Sequence, residues 1–359
     1  MAEFDLVRRR LDQHIGRPSF AGPADVVRWF GAVQAQDYLG ALWAIGLRTP
    51  GSREGDIERA LSERTIVRTW PMRGTLHFVA AADVRWMLDL LAPHVVARSA
   101  RRLGQLGLDD ALLTRSRRIV TRLLRDGGRR TRRAMYEALE AGKISAAGQR
   151  GIHILWRLAQ DGLLCFGPRE GKEHTFVLLE EWLPEAKRLR RDEALAQVAL
   201  RYFTGHGPAT VQDFAWWSGL PASEARAALD MVRTRLERAT VEDRTYWFLP
   251  PPSPRSRSHA PTAHFLPAFD EYLVGYRDRA SVLADGRAVN AGGGMLAPTT
   301  IVEGRVVATW RRTLRTDAVL LEATPFARLR GSDPRALAAA AKRYGDFLGR
   351  RASLALAER

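Results

Sequence analysis

Three times along the chain, helical stretches run into two short strand-like stretches joined by a turn, and this recurrence restricts the fold more than any other feature. A unit of helices and one hairpin must bury the hairpin's apolar face against its own helices, which gives a series of small α+β units. In the first recurrence Val26, Val27, Phe30 and Val33 fall at helical spacing over 24–37, and a second helix reads over 55–63. Residues 65–70 and 75–79 read as strands around the turn Pro71-Met72-Arg73-Gly74. The second has a helix over 111–125 ending at Gly127-Gly128, Thr131 capping a helix over 132–139, and Ser145 capping one that runs to Gly162. Strands over 163–166 and 174–179 flank a charged loop. The third has a helix near 191–204, a break at His206-Gly207-Pro208, and a short helix from Thr210 to Trp217. Ser223 then caps a helix to about Arg235, before strands over 236–241 and 245–249.

Helix, helix, strand, loop, strand is the winged-helix order. The expected fold class is therefore α+β: three tandem winged-helix units over 1–110, 111–183 and 184–250, then a C-terminal β-rich segment over 251–359. That segment opens on a Pro/Ser/Arg linker from Pro250 to Ser258, continues in strands over 299–303, 305–313 and 317–322, and closes on an amphipathic helix over 334–349. Gly292-Gly293-Gly294 lacks the Lys-Ser/Thr of a phosphate loop and reads as a turn.

The net charge of +16 points to a polyanion. A GC-rich genome would explain arginine over lysine, but not the excess of base over acid. With one cysteine, Cys165, the chain cannot form an internal disulfide, and its eight scattered histidines lack metal-ligand spacing, so no metal and no cofactor is expected. No apolar run reaches the roughly 20 residues of a membrane span. Glu3 and Asp5 stand where a signal peptide would carry base, so the cytoplasm is the expected compartment, with nucleoid association when bound to DNA. Three units in one chain already span much duplex, so no membrane and no obligate protein partner is expected, and the protein reads as a monomer.

A winged-helix unit normally sends one helix into the major groove. The helix over 145–161 would offer Gln149, Arg150, Arg157 and Gln160, while its Ile152, Leu155 and Trp156 read as core. A basic hairpin over 305–315, carrying Arg311 and Arg312, would grip phosphate without base readout. Arg8-Arg9-Arg10, Arg98/Arg101/Arg102, Arg115/Arg117/Arg118 and Arg129-Arg130 with Arg132-Arg133 would extend a phosphate-tracking channel.

Val33-Gln34-Ala35-Gln36-Asp37 resembles the Gln-x-Gln motif of the AlkZ-like winged-helix DNA glycosylases. Trp70 to His77 resembles their second signature, around Thr-x-His, and Leu266 to Leu273 with Tyr276-Arg277-Asp278-Arg279 resembles a third shared segment. The resemblance runs from residue 5 to about 350. A sister branch similar to YcaQ carries Asp where this chain has Gln36. The resemblance implies three winged-helix units curved around duplex DNA and removal of N7-alkylated guanines. In some members it implies removal of bulky or crosslinked adducts, as self-resistance to a genotoxic natural product.

The residues fit that chemistry. An N7-alkylguanine is already cationic and leaves without a strong general acid, so the protein needs chiefly a placed water and stabilisation of an oxocarbenium-like sugar. Glutamine amides donate and accept hydrogen bonds but are not useful bases. Gln34 and Gln36 are therefore the expected catalytic pair, with Asp37, Thr75 and His77 in support and Arg73 on DNA. Residues i and i+2 of a helix point about 200° apart, so the helix must end or unwind there if Gln34 and Gln36 are to share a site. Hydrogen bonding of the neighbouring chain is the structural reading of the same glutamines. For His77 and Trp70/Met72 it is core packing, and for Asp270 and Glu271 it is salt bridging to arginines rather than a metal. No lysine lies near the motif, so a Schiff base is not expected. A non-catalytic winged-helix transcriptional regulator is the competing function.

Overall fold

The computed structural model describes residues 4–16, 20–250, 262–283, 289, 296–329, 331 and 333–357. The triple glycine and nearly all of the Pro/Ser/Arg linker lie outside the described residues. After α1 (Leu6–Leu11) comes α2 (Pro23–Phe30), β1 (Val33–Gln34), α3 (Tyr38–Gly46), α4 (Glu54–Ser62) and the hairpin β2 (Ile66–Met72) and β3 (Thr75–Ala80). The long α5 (Val84–Gln105) leads to α6 (Asp110–Leu124), β4 (Arg130–Thr131), α7 (Arg132–Ala141), α8 (Arg150–Gln160) and the hairpin β5 (Leu164–Glu170) and β6 (Glu173–Leu178). After α9 (Leu179–Trp182) the order recurs as α10 (Arg191–His206), α11 (Val211–Ser218), α12 (Ala222–Val232), β7 (Glu237–Val241) and β8 (Arg244–Phe248). The last part is β9 (Ala263–Leu266), α13 (Glu271–Val274), β10 (Thr299–Val302), β11 (Arg305–Leu314), β12 (Ala318–Pro325), α14 (Asp333–Leu348) and β13 (Arg351–Leu356).

The first two hairpins merge into one six-stranded sheet, ordered β1-β3-β2-β5-β6-β4, through the Arg68–Phe166 pairing of β2 with β5. The C-terminal strands form a second sheet, β13-β12-β11-β10-β9, in which β13 runs parallel to β12 after the α14 crossover. Apolar faces fuse these parts: Trp86, Met87 and Leu91 of α5 share a core with Tyr202, Phe214 and Trp217, and Trp43 of α3 meets Tyr344 and Phe347 of α14.

Local chemistry explains most boundaries. Asp109, Thr131 and Thr210 cap their helices through side-chain oxygens, Thr210 in a capping box with Asp213. Ser145 and Ser223 do not cap as expected: α8 begins at Arg150 after a turn, and Ser223 lies inside α12, which starts behind Pro221. Pro71 and Met72 belong to β2, and the turn is only Arg73-Gly74, both at positive φ (55° and 77°), the geometry of a tight two-residue hairpin turn. β9, α13 and β13 complete elements that the periodicity alone did not separate.

Candidate active site

The helix expected over 24–37 stops at Phe30, because Gly31 takes φ 80° and turns the chain out of the α region. Val33 and Gln34 become a strand paired with β3, Gln34 opposite His77. The helix does end before the glutamine motif, as a shared site for Gln34 and Gln36 requires.

Gln34 is held by two hydrogen bonds to distant residues. Its backbone N–H donates to Glu271 Oε1 at 2.8 Å, and its amide oxygen accepts from Arg73 Nη2 at 3.1 Å. Its NH2 group has no hydrogen-bond partner among the described residues. Gln34 helps line a cavity of about 310 Å³, together with Arg73, Thr75, Trp216, Phe269 and Arg279. The Thr75 hydroxyl, buried and without a hydrogen-bond partner among the described residues, lies in the same wall. Phe269 lies at φ 62°, a strained conformation for a bulky residue and of the kind found at binding sites.

His77 is fully buried and makes two hydrogen bonds that fix its tautomer. Nδ1 faces the Thr75 carbonyl at 2.9 Å and so carries the proton, and Nε2 accepts from Arg73 Nη2 at 3.3 Å. Burial, and then the Arg73 cation, push its pKa down to about 3. His77 is thus a neutral acceptor that aims Arg73 at Gln34, not an acid or base.

Glu271 was expected to pair with arginine, and does not. Its carboxylate, 1% exposed, accepts from Gln34 N and, on Oε2, lies 3.0 Å from both Trp217 Nε1 and His206 Nε2. Burial would raise its pKa, but His206 and the Gln34 N–H hold it below the usual carboxylate value. Asp270 does pair with arginine, bidentately with buried Arg48 at 2.7 and 2.9 Å. Among the described residues no group of three or more His, Cys, Asp or Glu could hold a metal ion.

The other expected site residues lie apart from this cavity. Gln36 is exposed, and its amide oxygen accepts from Leu76 N at 3.2 Å, prolonging the ladder beyond Gln34. The Asp37 carboxylate caps α3 by accepting from Gly40 N through Oδ1 at 3.1 Å. Gln149 accepts from Arg102 at 2.5 Å, and Arg150 bonds the Leu106 and Ser145 carbonyls. Arg157 pairs with Asp161, and Gln160 is buried against the Trp70 carbonyl. Arg311 forms a two-bond pair with Glu322 across the β11–β12 hairpin, and Arg312 bonds the Tyr344 hydroxyl. Trp70 and Met72 are core. In the Arg8-Arg9-Arg10 cluster, Arg10 is buried on the Pro208 carbonyl and near Asp213, and Arg9 stacks on Phe4 and Phe248. Sequence reasoning missed Trp216, Phe269 and the linking role of Glu271; only the third shared segment pointed near the last two.

The buried neutral histidines give the fold an acid limit. Burial holds His77 and His264 near a pKa of about 3, below the 6.5 of an unfolded histidine. Below pH 6.5 the unfolded chain takes up protons that the fold refuses, so stability is complete at neutral pH and falls as pH drops. Each group is expected to remove up to about 1.4 kcal/mol per pH unit in that window. Urea midpoints measured from pH 7.5 to 5 should fall steadily; a flat profile would refute neutral burial.

A cavity lined by amide, hydroxyl and guanidinium groups thus sits in a chain of net charge +16. A profile of the family described as "DNA glycosylase AlkZ-like" matches residues 27–347, and the chain belongs to that family. It is 28% identical over 317 residues to the interstrand DNA cross-link repair glycosylase of Streptomyces sahachiroi, covering 80% of this chain and 81% of that one. The solved structure of Streptomyces sahachiroi DNA glycosylase AlkZ superposes with a TM-score of 0.81 over 98% of both chains at 23% identity, so the two share a fold. The family assignment makes the protein a DNA glycosylase, not a regulator.

Proposed function

We propose that the protein hydrolyses the N-glycosidic bond of N7-alkylguanine in duplex DNA, bulky and crosslinked adducts included. The observation that carries this reading is Gln34 in the cavity lining, its carbonyl held by Arg73 and its NH2 group without a hydrogen-bond partner among the described residues. When C1′–N9 breaks, the bonding pair leaves with the base, the positive charge passes to the sugar, and water adds at C1′. The products are the free alkylguanine, an abasic site and a proton. A cationic base needs no general acid, and the cavity offers none: His77 is neutral and Glu271 is already engaged by three donors. What it supplies is fixed hydrogen-bonding geometry for that water, from Gln34, with the exposed Gln36 two residues on as its partner in the motif. Arg73 and Arg279 suit the phosphates flanking the lesion.

The recurring element order supports reading residues 1–110, 111–183 and 184–250 as three winged-helix units with a C-terminal β-rich segment. In each, the lone strand or bridge after the first helix pairs with the second hairpin strand: β1 with β3, β4 with β6, and Ala209 with Trp247. The protein would act on duplex DNA as a monomer, and the name of its Streptomyces relative makes crosslinks the adducts to try first. The β11–β12 hairpin can still meet phosphate through Arg311, which is exposed despite its pair with Glu322.

The test is release of N7-methylguanine from a methylated duplex in the presence of a chelator, with borohydride added. Free base and an intact abasic strand, without a trapped covalent complex, are expected. Activity that the chelator abolishes, or strand scission before base release, would refute the reading.

A further inference from the structure

Resting on that reading, we infer that Trp216 forms the floor of a second subsite, next to the Gln34 cavity, which holds a planar aromatic substituent carried on N7 of the guanine. Four large apolar side chains are exposed among the described residues, and Trp216 is the most exposed at 46%. An indole left in water is costly unless something flat covers it. Its position is specific. Trp216 lines both the 310 Å³ cavity with Gln34 and an adjoining one of about 410 Å³ with Leu220, Arg226 and Arg277. It is the only described residue common to both linings, so the ring divides the reacting centre from the second space.

The ring is also held in register with Gln34. Neighbouring Trp217 is fully buried and donates to Glu271 Oε2 at 3.0 Å, while Gln34 N donates to the other oxygen of that carboxylate at 2.8 Å. Successive residues on a helix lie about 100° apart, so fixing Trp217 inward turns Trp216 outward, toward the cavity mouth. Arg226 and Arg277 are exposed beside it and make no ion pair among the described residues, which suits the phosphates on either side of a lesion. A methyl adduct would fill only the first cavity. A ring on N7 would extend past the guanine and lie on the indole.

The experiment compares duplexes carrying N7-methylguanine and N7-benzylguanine, with wild type, Trp216→Ala and Trp216→Phe. Loss of one stacked ring should raise KM for the benzyl substrate about tenfold more than KM for the methyl substrate in Trp216→Ala, with the effect on KM larger than that on kcat. Trp216→Phe should recover most of the loss. Because Trp216 is exposed, the alanine variant should retain the wild-type circular dichroism. An equal loss on both substrates would mean that a neighbouring DNA base occupies the ring and would overturn the inference. So would no loss on either, with the glycosylase reading intact. Wild type that releases neither base would overturn both.

Discussion

Gln34→Ala is expected to slow single-turnover release of N7-methylguanine by about two to three orders of magnitude, the usual cost of removing one fixed hydrogen-bonding group from a reacting centre. The structure also ranks the two glutamines. Gln34 lines the cavity and its NH2 has no hydrogen-bond partner among the described residues, whereas Gln36 is exposed and its carbonyl is committed to Leu76 N. Gln36→Ala should therefore cost less than Gln34→Ala, and its residual activity should retain the wild-type pH dependence. Between pH 5 and 8 that profile should show no step from His77, which burial holds neutral with a pKa of about 3. Duplex affinity should barely change in either variant, because phosphate contacts dominate binding. Unchanged base release in both variants would remove the proposed roles; equal losses would remove the ranking.

The largest stability effect should come from Glu271→Ala. The carboxylate is shared by Gln34 N, Trp217 Nε1 and His206 Nε2, all from segments distant in sequence. Its removal leaves these buried groups without their partner and should destabilise the protein by about 3–5 kcal/mol, the range for breaking a buried charged pair. Glu271→Gln keeps the shape and one acceptor and should cost clearly less. Urea unfolding at pH 7.5 reads both. Base release by whatever fraction of Glu271→Ala folds should also be poor, because Gln34 loses the bond that fixes its backbone. A Glu271→Ala protein as stable as wild type would contradict the shared-carboxylate arrangement.

The threefold recurrence was readable because it rests on local rules: apolar periodicity, Asp and Thr caps, and glycine turns. Thr131 and Thr210 cap as read. Where a local rule had two answers the sequence misled. Val33 fits the helical spacing of Val26 and Phe30, so the pattern ran on through a helix that Gly31 had already ended. Ser145 and Ser223 are good cap residues placed a few positions off the helix starts. The site was legible only through its motif. Arg73, Thr75 and His77 meet Gln34 because two strands pair, but Asp37, next to the motif, faces its own helix instead. Gln149, Arg150 and Arg312 were read as free because partners such as Arg102, Leu106 and Tyr344 lie 32 to 47 residues away. Nothing near residue 34 or residue 217 foretells that both will meet residue 271.

That meeting has a consequence for the chain as it leaves the ribosome. The bond from Gln34 to Glu271 joins residues 237 positions apart, across nearly all of the intervening structure. Helices and hairpins built from local contacts can form as they emerge, but a contact of such separation comes late. The nascent protein is therefore already cationic enough to touch nucleic acid while its reacting centre is still unassembled. A chain that has not yet reached residue 271 lacks the acceptor for the Gln34 N–H, and with it the bond that fixes the Gln34 backbone.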